Sequence, residues 1–292
     1  MKAIPALCLA LFLVAIHAAV LPKKSLQLKM HTTSKKAVKT RPGTYRDFNN
    51  RHVLAKGNAT LAYYLDGAYA ANVTLGTPGY LGLAWPSVSP NNYTPPIQNL
   101  LSQFDKPVFS IWLDRKGNNS DQAGGLLTLG AVDTQNCDSN VQYVPLTSLS
   151  FWQFSLSSFS VGSYSKTKTV PVFVDSSSNF LGVPPDAMNA IANATNAAYI
   201  AESNIYALPC NATGLPDLKF TINNQIYSVS QSEYISNINF GNGTCILAVY
   251  SVNNGGFGPS WTLGQPFMRS YCNVFDVGNK MIGFAKPKNS GF

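Results

Sequence analysis

The chain has 292 residues, 45% of them hydrophobic and only 12% charged, a balance that supports a large buried core and excludes disorder for most of its length. Its formal charge of +8 is concentrated between residues 20 and 57, where ten Lys and Arg face Asp47 alone. From residue 58 onward twelve Asp and Glu outnumber ten Lys and Arg, which excludes a nucleic-acid-binding body.

Met1-Lys2, the uncharged run from Ala3 to Ile16 and His17-Ala18-Ala19 form the charged start, apolar centre and small-residue exit of a secretory signal over residues 1–19. Cys8 leaves with it. No later stretch reaches the roughly 20 apolar residues of a spanning helix, so no membrane partner is expected, and the chain is expected to be secreted: extracellular or in a lysosome-like acidic compartment. The basic stretch 20–57 reads as a removable pro-segment that screens an acidic cleft, or as a solvated basic tail.

From Leu61 onward, short runs rich in Val, Ile, Phe, Tyr and Thr alternate with Gly, Pro, Asn and Ser, the pattern of a mostly β protein. Strands are expected over 108–113, 125–130, 170–174, 218–222 and 274–276, and again over 282–285. Helices are expected over 96–101 and 185–198, where proline opens each run. Asp66 in Tyr64-Leu65-Asp66-Gly67 reads as a turn residue before a strand.

Four cysteines follow the signal, Cys137, Cys210, Cys245 and Cys272, enough for two disulfides in three possible pairings. Seven Asn-x-Ser/Thr sequons, at Asn58, Asn72, Asn92, Asn118, Asn193, Asn211 and Asn242, are glycosylation candidates of a secretory chain.

The chemistry is concentrated in one place. The run Val170-Pro171-Val172-Phe173-Val174 delivers Asp175 into the polar turn Ser176-Ser177-Ser178-Asn179. A carboxylate so placed serves hydrolysis when a second acid faces it, because two close acids can share one proton. Other chemistries lack their residues. No histidine lies beyond His52, so no Ser-His-Asp or Cys-His set forms, and without C-x-x-C spacing no metal or cofactor is expected. Gly76-Thr77-Pro78-Gly79 and Gly255-Gly256-Phe257-Gly258 lack the Lys of a phosphate loop and read as turns. A weak repeat relates Tyr80-Leu81-Gly82-Leu83-Ala84-Trp85-Pro86 to Trp261-Thr262-Leu263-Gly264-Gln265-Pro266-Phe267. In each, a glycine after apolar residues allows close approach of another backbone beside an active-site strand.

Taken in order, these segments resemble the pepsin-like aspartic proteases, nematode members above all. Asn72-Val73-Thr74-Leu75-Gly76-Thr77-Pro78 is similar to the family's approach to its first acid, and 81–87 to the strand closing the amino-terminal lobe. Residues 144–154 are similar to the crossing between lobes, and Leu263-Gly264-Gln265-Pro266-Phe267-Met268-Arg269 and 275–285 to the family's ending. The resemblance implies a mostly β, bilobal pepsin-like fold with a truncated amino-terminal lobe (58–159) and a near-complete carboxy-terminal lobe (160–292). It implies that Asp175 is the second catalytic Asp, with Ser176, Ser177 and Ser178 as its turn. It also implies a Cys210–Cys245 disulfide and, with it, Cys137–Cys272.

Two departures bear on activity. Pro78-Gly79-Tyr80 joins directly two segments that the family separates with its first Asp-Thr-Gly and its flap, so Asp175 is expected to lack its partner. Ser177 stands where the family has Gly, while Ser176 can still donate a hydroxyl hydrogen bond. The expected function is therefore aspartic-type endopeptidase chemistry, acting on a peptide or protein substrate, impaired in this monomeric chain. The alternatives are a secreted pseudoprotease that binds peptides or a protein partner, and weak activity from a homodimer that pairs two copies of Asp175.

Overall fold

The computed structural model describes residues 26–31, 81–114, 123–237 and 242–288. Asp66, the join at Pro78-Gly79, the first glycine turn and the sequons at Asn58, Asn72 and Asn118 lie outside the described residues. In chain order the elements are β1 (Leu26–His31), α1 (Pro96–Leu100), β2 (Val108–Leu113), β3 (Ala123–Leu129), β4 (Gln142–Pro145), β5 (Ser148–Leu149), β6 (Trp152–Val161), β7 (Tyr164–Val174) and β8 (Leu181–Val183). There follow α2 (Pro185–Thr195), β9 (Ala198–Ile200), β10 (Ile205–Pro209), β11 (Leu218–Ile222), β12 (Gln225–Val229), α3 (Gln231–Tyr234), β13 (Ile235–Ser236) and β14 (Thr244–Leu247). The last are β15 (Val249–Ser251), β16 (Trp261–Leu263), α4 (Gln265–Ser270), β17 (Cys272–Asp276) and β18 (Met281–Ala285).

Among the described residues strands dominate, as expected, and form three sheets. One is antiparallel in the order β1-β3-β2-β17-β18-β4. A second runs β12-β11-β6-β7-β16-β8-β15, with β5 beside β6, and a third β13-β14-β10-β9. In β6 the inward residues are Trp152, Phe154 and Leu156, then Phe159 and Val161. The register shift between Leu156 and Ser158 is a bulge, and it returns the apolar side chains to the core after two outward serines.

Three segments differ from their sequence expectation. Residues 81–87 form no strand: a 3₁₀ turn covers Pro86–Val88, and Pro86, which has no amide proton, occupies its first position. Helix α2 stops at Thr195 because Asn196 adopts a left-handed conformation (φ 51°), so Ala198 opens β9. Finally, β1 lies inside the basic stretch, paired along β3 with Leu26 opposite Leu129. The alternation of Leu26, Leu28 and Met30 with Gln27, Lys29 and His31 is the period-2 signal for it.

A continuous apolar core links the two larger sheets. Trp152 packs on Trp85, Phe109 and Phe275 at centroid distances of 5.2, 5.6 and 4.9 Å, and its Nε1 donates to Leu83 O at 2.8 Å. The disulfides are Cys210–Cys245 and Cys137–Cys272, as the resemblance implies. Among the described residues no helix is long and apolar enough to cross a membrane.

Tyr227 supplies a pH-dependent element of this core. Its ring packs against Tyr271 and Phe284, and its hydroxyl is buried without a hydrogen-bond partner among the described residues. Burial, reinforced by Tyr271 beside it, pushes its pKa up to about 12. The folded state thus holds this proton more tightly than the unfolded chain, so the contribution is complete below pH 10 and is lost as the pH climbs toward 12. We expect Tyr227→Phe to leave stability at pH 8 unchanged or slightly raised, and to recover about 1 kcal/mol of the wild-type decline at pH 11. Urea unfolding at the two pH values measures this; an equal decline in both proteins would exclude Tyr227 as its source.

Candidate active site

Asp175 is held where its strand ends. β7 and β16 run parallel, with Val172 opposite Trp261 and Val174 opposite Leu263. The Asp175 amide then donates to Leu263 O at 3.1 Å, one step past the last strand residue. Val174 and Leu263 are buried, so the backbone under the acid is anchored in the core while Asp175 itself is half-buried. β8 leaves the same turn antiparallel to β16 and parallel to β15, and the Leu181 amide donates to Ala248 O at 2.9 Å.

The turn closes on its own carboxylate. Asp175 Oδ1 accepts from the Ser177 amide at 2.8 Å and from Ser177 Oγ at 2.6 Å, while the Ser178 amide donates to Asp175 O at 3.3 Å. A short acidic side chain bonding the backbone two residues on is the usual way Asp organises a turn. Ser178 Oγ donates to Phe180 O at 2.8 Å. Asp175, Ser176, Ser177 and Ser178 are thus brought together, but the hydroxyl that meets the acid belongs to Ser177. Ser176 contributes its carbonyl, which accepts from Gln265 Nε2 at 3.4 Å.

Two residues from the start of α4 lock the turn from behind. The Gln265 amide donates to Ser178 O at 2.8 Å. Gly264 lies so close that a Cβ there would sit 2.1 Å from Phe180 O and 2.6 Å from Ser178 O. The close approach expected of this glycine is present. Gln265 is not among the sequence candidates; an amide side chain set among Leu263, Pro266, Phe267 and Met268 is its only sequence signal.

Other carboxylates in the described residues have different partners. Asp133 accepts from the amides of Gln135 and Asn136 and from Asn136 Nδ2. Asp276 accepts from the amide and side chain of Asn279. Glu233 pairs with Arg269 Nε at 2.5 Å, and Asp186 with Lys166 and Tyr164. The hydrogen bonds to the Asp175 carboxylate come from Ser177 alone among the described residues.

The family model for the eukaryotic aspartyl protease matches residues 60–287. The chain belongs to that family. Among relatives of this aspartyl protease chain, Aspartic protease 1 of Caenorhabditis elegans is 44% identical over 217 residues, 73% of this chain and 55% of the relative. Aspartic protease 17 of the same nematode is 44% identical over 214 residues, again 73% of this chain and 55% of its own. Human gastricsin is 32% identical over 217 residues, 71% of this chain and 54% of its own. The aspartyl protease chain therefore spans about half the length of the curated relatives it matches.

Proposed function

We propose that this chain carries one half of an aspartic-type endopeptidase site, with Asp175 as its acid, and that peptide-bond hydrolysis by the chain itself is impaired. In the two-acid mechanism one carboxylate takes a proton from water while the other donates one to the scissile carbonyl. Asp175, at the end of a buried strand with its turn braced by Gln265, is positioned to supply one of these functions. The observation that supports impairment is that, among the described residues, its carboxylate is hydrogen-bonded by its own Ser177 and by no second acid. Without that partner, most of the proton transfer that drives the reaction has no group to perform it.

The proposal extends to the leader: residues 20–57 are a basic pro-segment of a secreted protein. Their charge, and the pairing of Leu26–His31 along the edge of the first sheet, support that reading.

The test is hydrolysis of an unfolded protein substrate at acid pH by the purified, acid-treated chain, alongside a two-acid relative. We expect a rate lower by on the order of a thousand-fold or more. Pepstatin-sensitive cleavage that disappears in Asp175→Ala would overturn the impairment and leave Asp175 as a working catalytic residue.

A further inference from the structure

Two sequons that are distant in sequence lie beside each other in the fold. β10 and β14 pair antiparallel with Leu208 opposite Cys245 and Pro209 opposite Thr244. The Cys210 amide then donates to Gly243 O at 2.8 Å, adding one rung next to the Cys210–Cys245 disulfide. Asn211 and Asn242 are the next residues outward, one on each side of that rung. Both are exposed, and neither carboxamide is engaged in a hydrogen bond among the described residues. Asn242 and Gly243 have left-handed φ values of 53° and 69°, which places the acceptor asparagine of the second sequon in the turn leading into β14, whose first residue is its Thr244. The other described sequons differ: Asn193 lies within α2, with its Thr195 hydroxyl buried and donating to Ile191 O at 2.8 Å, and Asn92 is separate on its own 3₁₀ turn.

The bridge beneath this pair is the more accessible of the two. Cys210 is half-buried, whereas Cys137 and Cys272 are fully buried. A disulfide is reduced by in-line attack of a thiolate, so access decides which bridge opens first.

We propose that Asn211 and Asn242 form a paired N-glycosylation site whose two glycans cover the Cys210–Cys245 bridge and slow its reduction. The inference rests on the secretory reading above. At each site the carboxamide nitrogen bonds to the anomeric carbon of an oligosaccharide carried on a lipid pyrophosphate. The nitrogen gives up one proton, and the lipid pyrophosphate leaves with the electrons of the broken C–O bond; nothing is oxidised or reduced.

The full chain, expressed in a secreting eukaryotic cell, is digested after glycan removal in heavy-oxygen water, so that each occupied Asn is marked by its conversion to Asp. Both Asn211 and Asn242 are expected to carry the mark. Reduction of the folded protein by dithiothreitol, followed by alkylation and peptide mass, is expected to open Cys210–Cys245 severalfold faster after enzymatic deglycosylation, and likewise in the Asn211→Gln, Asn242→Gln double variant. Cys137–Cys272 should open at one rate throughout. Either asparagine unmarked while Asn92 is marked overturns the pair and leaves the secretory reading standing. No mark at any sequon in a chain retained inside the cell overturns both. Equal reduction rates with and without the glycans overturn the shielding.

Discussion

Gly264→Ala is expected to destabilise the protein by at least about 4 kcal/mol, at the upper end of single-residue effects. The added methyl would lie 2.1 Å from Phe180 O and 2.6 Å from Ser178 O, and both obstacles are backbone. A side chain could rotate away; these atoms cannot. Moving Ser178 breaks its bond from the Gln265 amide, and moving Phe180 pulls Leu181 from Ala248 at the root of β8. The damage therefore falls on the turn that holds Asp175. The urea midpoint is expected to drop sharply at unchanged slope, with the chain becoming sensitive to protease around residues 175–182. A Gly264→Ala protein unfolding at the wild-type urea concentration would mean that the two segments are not in contact in solution.

Removal of the Cys137–Cys272 bridge, with both residues changed to Ala, is expected to produce the second large loss. The two cysteines are separated by 135 residues, and the chain-entropy relation gives about 5 kcal/mol for a loop of that size. For the bridge spanning 35 residues, Cys210–Cys245, it gives about 4 kcal/mol. Cys137 and Cys272 also pack against Ala285 and are fully buried, so their replacement removes contacts as well. With total stabilities of about 5–15 kcal/mol, the protein without its long-range bridge should be marginal. Comparison of the two double variants by chemical denaturation tests the ranking. A larger loss on removing Cys210–Cys245 would show that native-state packing, rather than loop length, sets the contribution of each bridge.

Much of this architecture was legible in the residues where local chemistry bounds an element on both sides. Val108–Leu113 and Leu218–Ile222 are strands over the expected residues because proline or aspartate precedes them and a polar or turn-forming stretch follows. Where one residue's backbone preference decides, pattern reading overshot: the alanines after Thr195 continue a helical composition, yet Asn196 turns the chain out of the helix. β1 was hidden by charge, because its Lys29 belongs to the basic excess of the stretch around it while the alternating apolar residues specify a strand. In the site, Asp175 and its serines were visible as a short turn after an apolar run. The contact between Gln265 and Ser176, 89 residues apart, depends on how β16 lies against β7 and has no local signature. That Ser177, rather than Ser176, donates to the acid follows from the turn geometry, in which the residue two positions on folds back over the carboxylate.

The order β1-β3-β2-β17-β18-β4 also sets a timetable for synthesis. The two strands between β2 and β4 are encoded by residues 272–285, long after both neighbours have left the ribosome. At typical elongation rates this gap stays open for on the order of ten seconds, with Phe109 and Val144 waiting for Phe275 and Ile282. During that interval β2 and β4 each present an open edge to any other nascent chain. A stall or a protease cut before Cys272 would release a product in which β1-β3-β2 is a three-stranded sheet with an open edge and β4 has lost its partner β18, so chaperone demand for this protein should be greatest just before its synthesis ends.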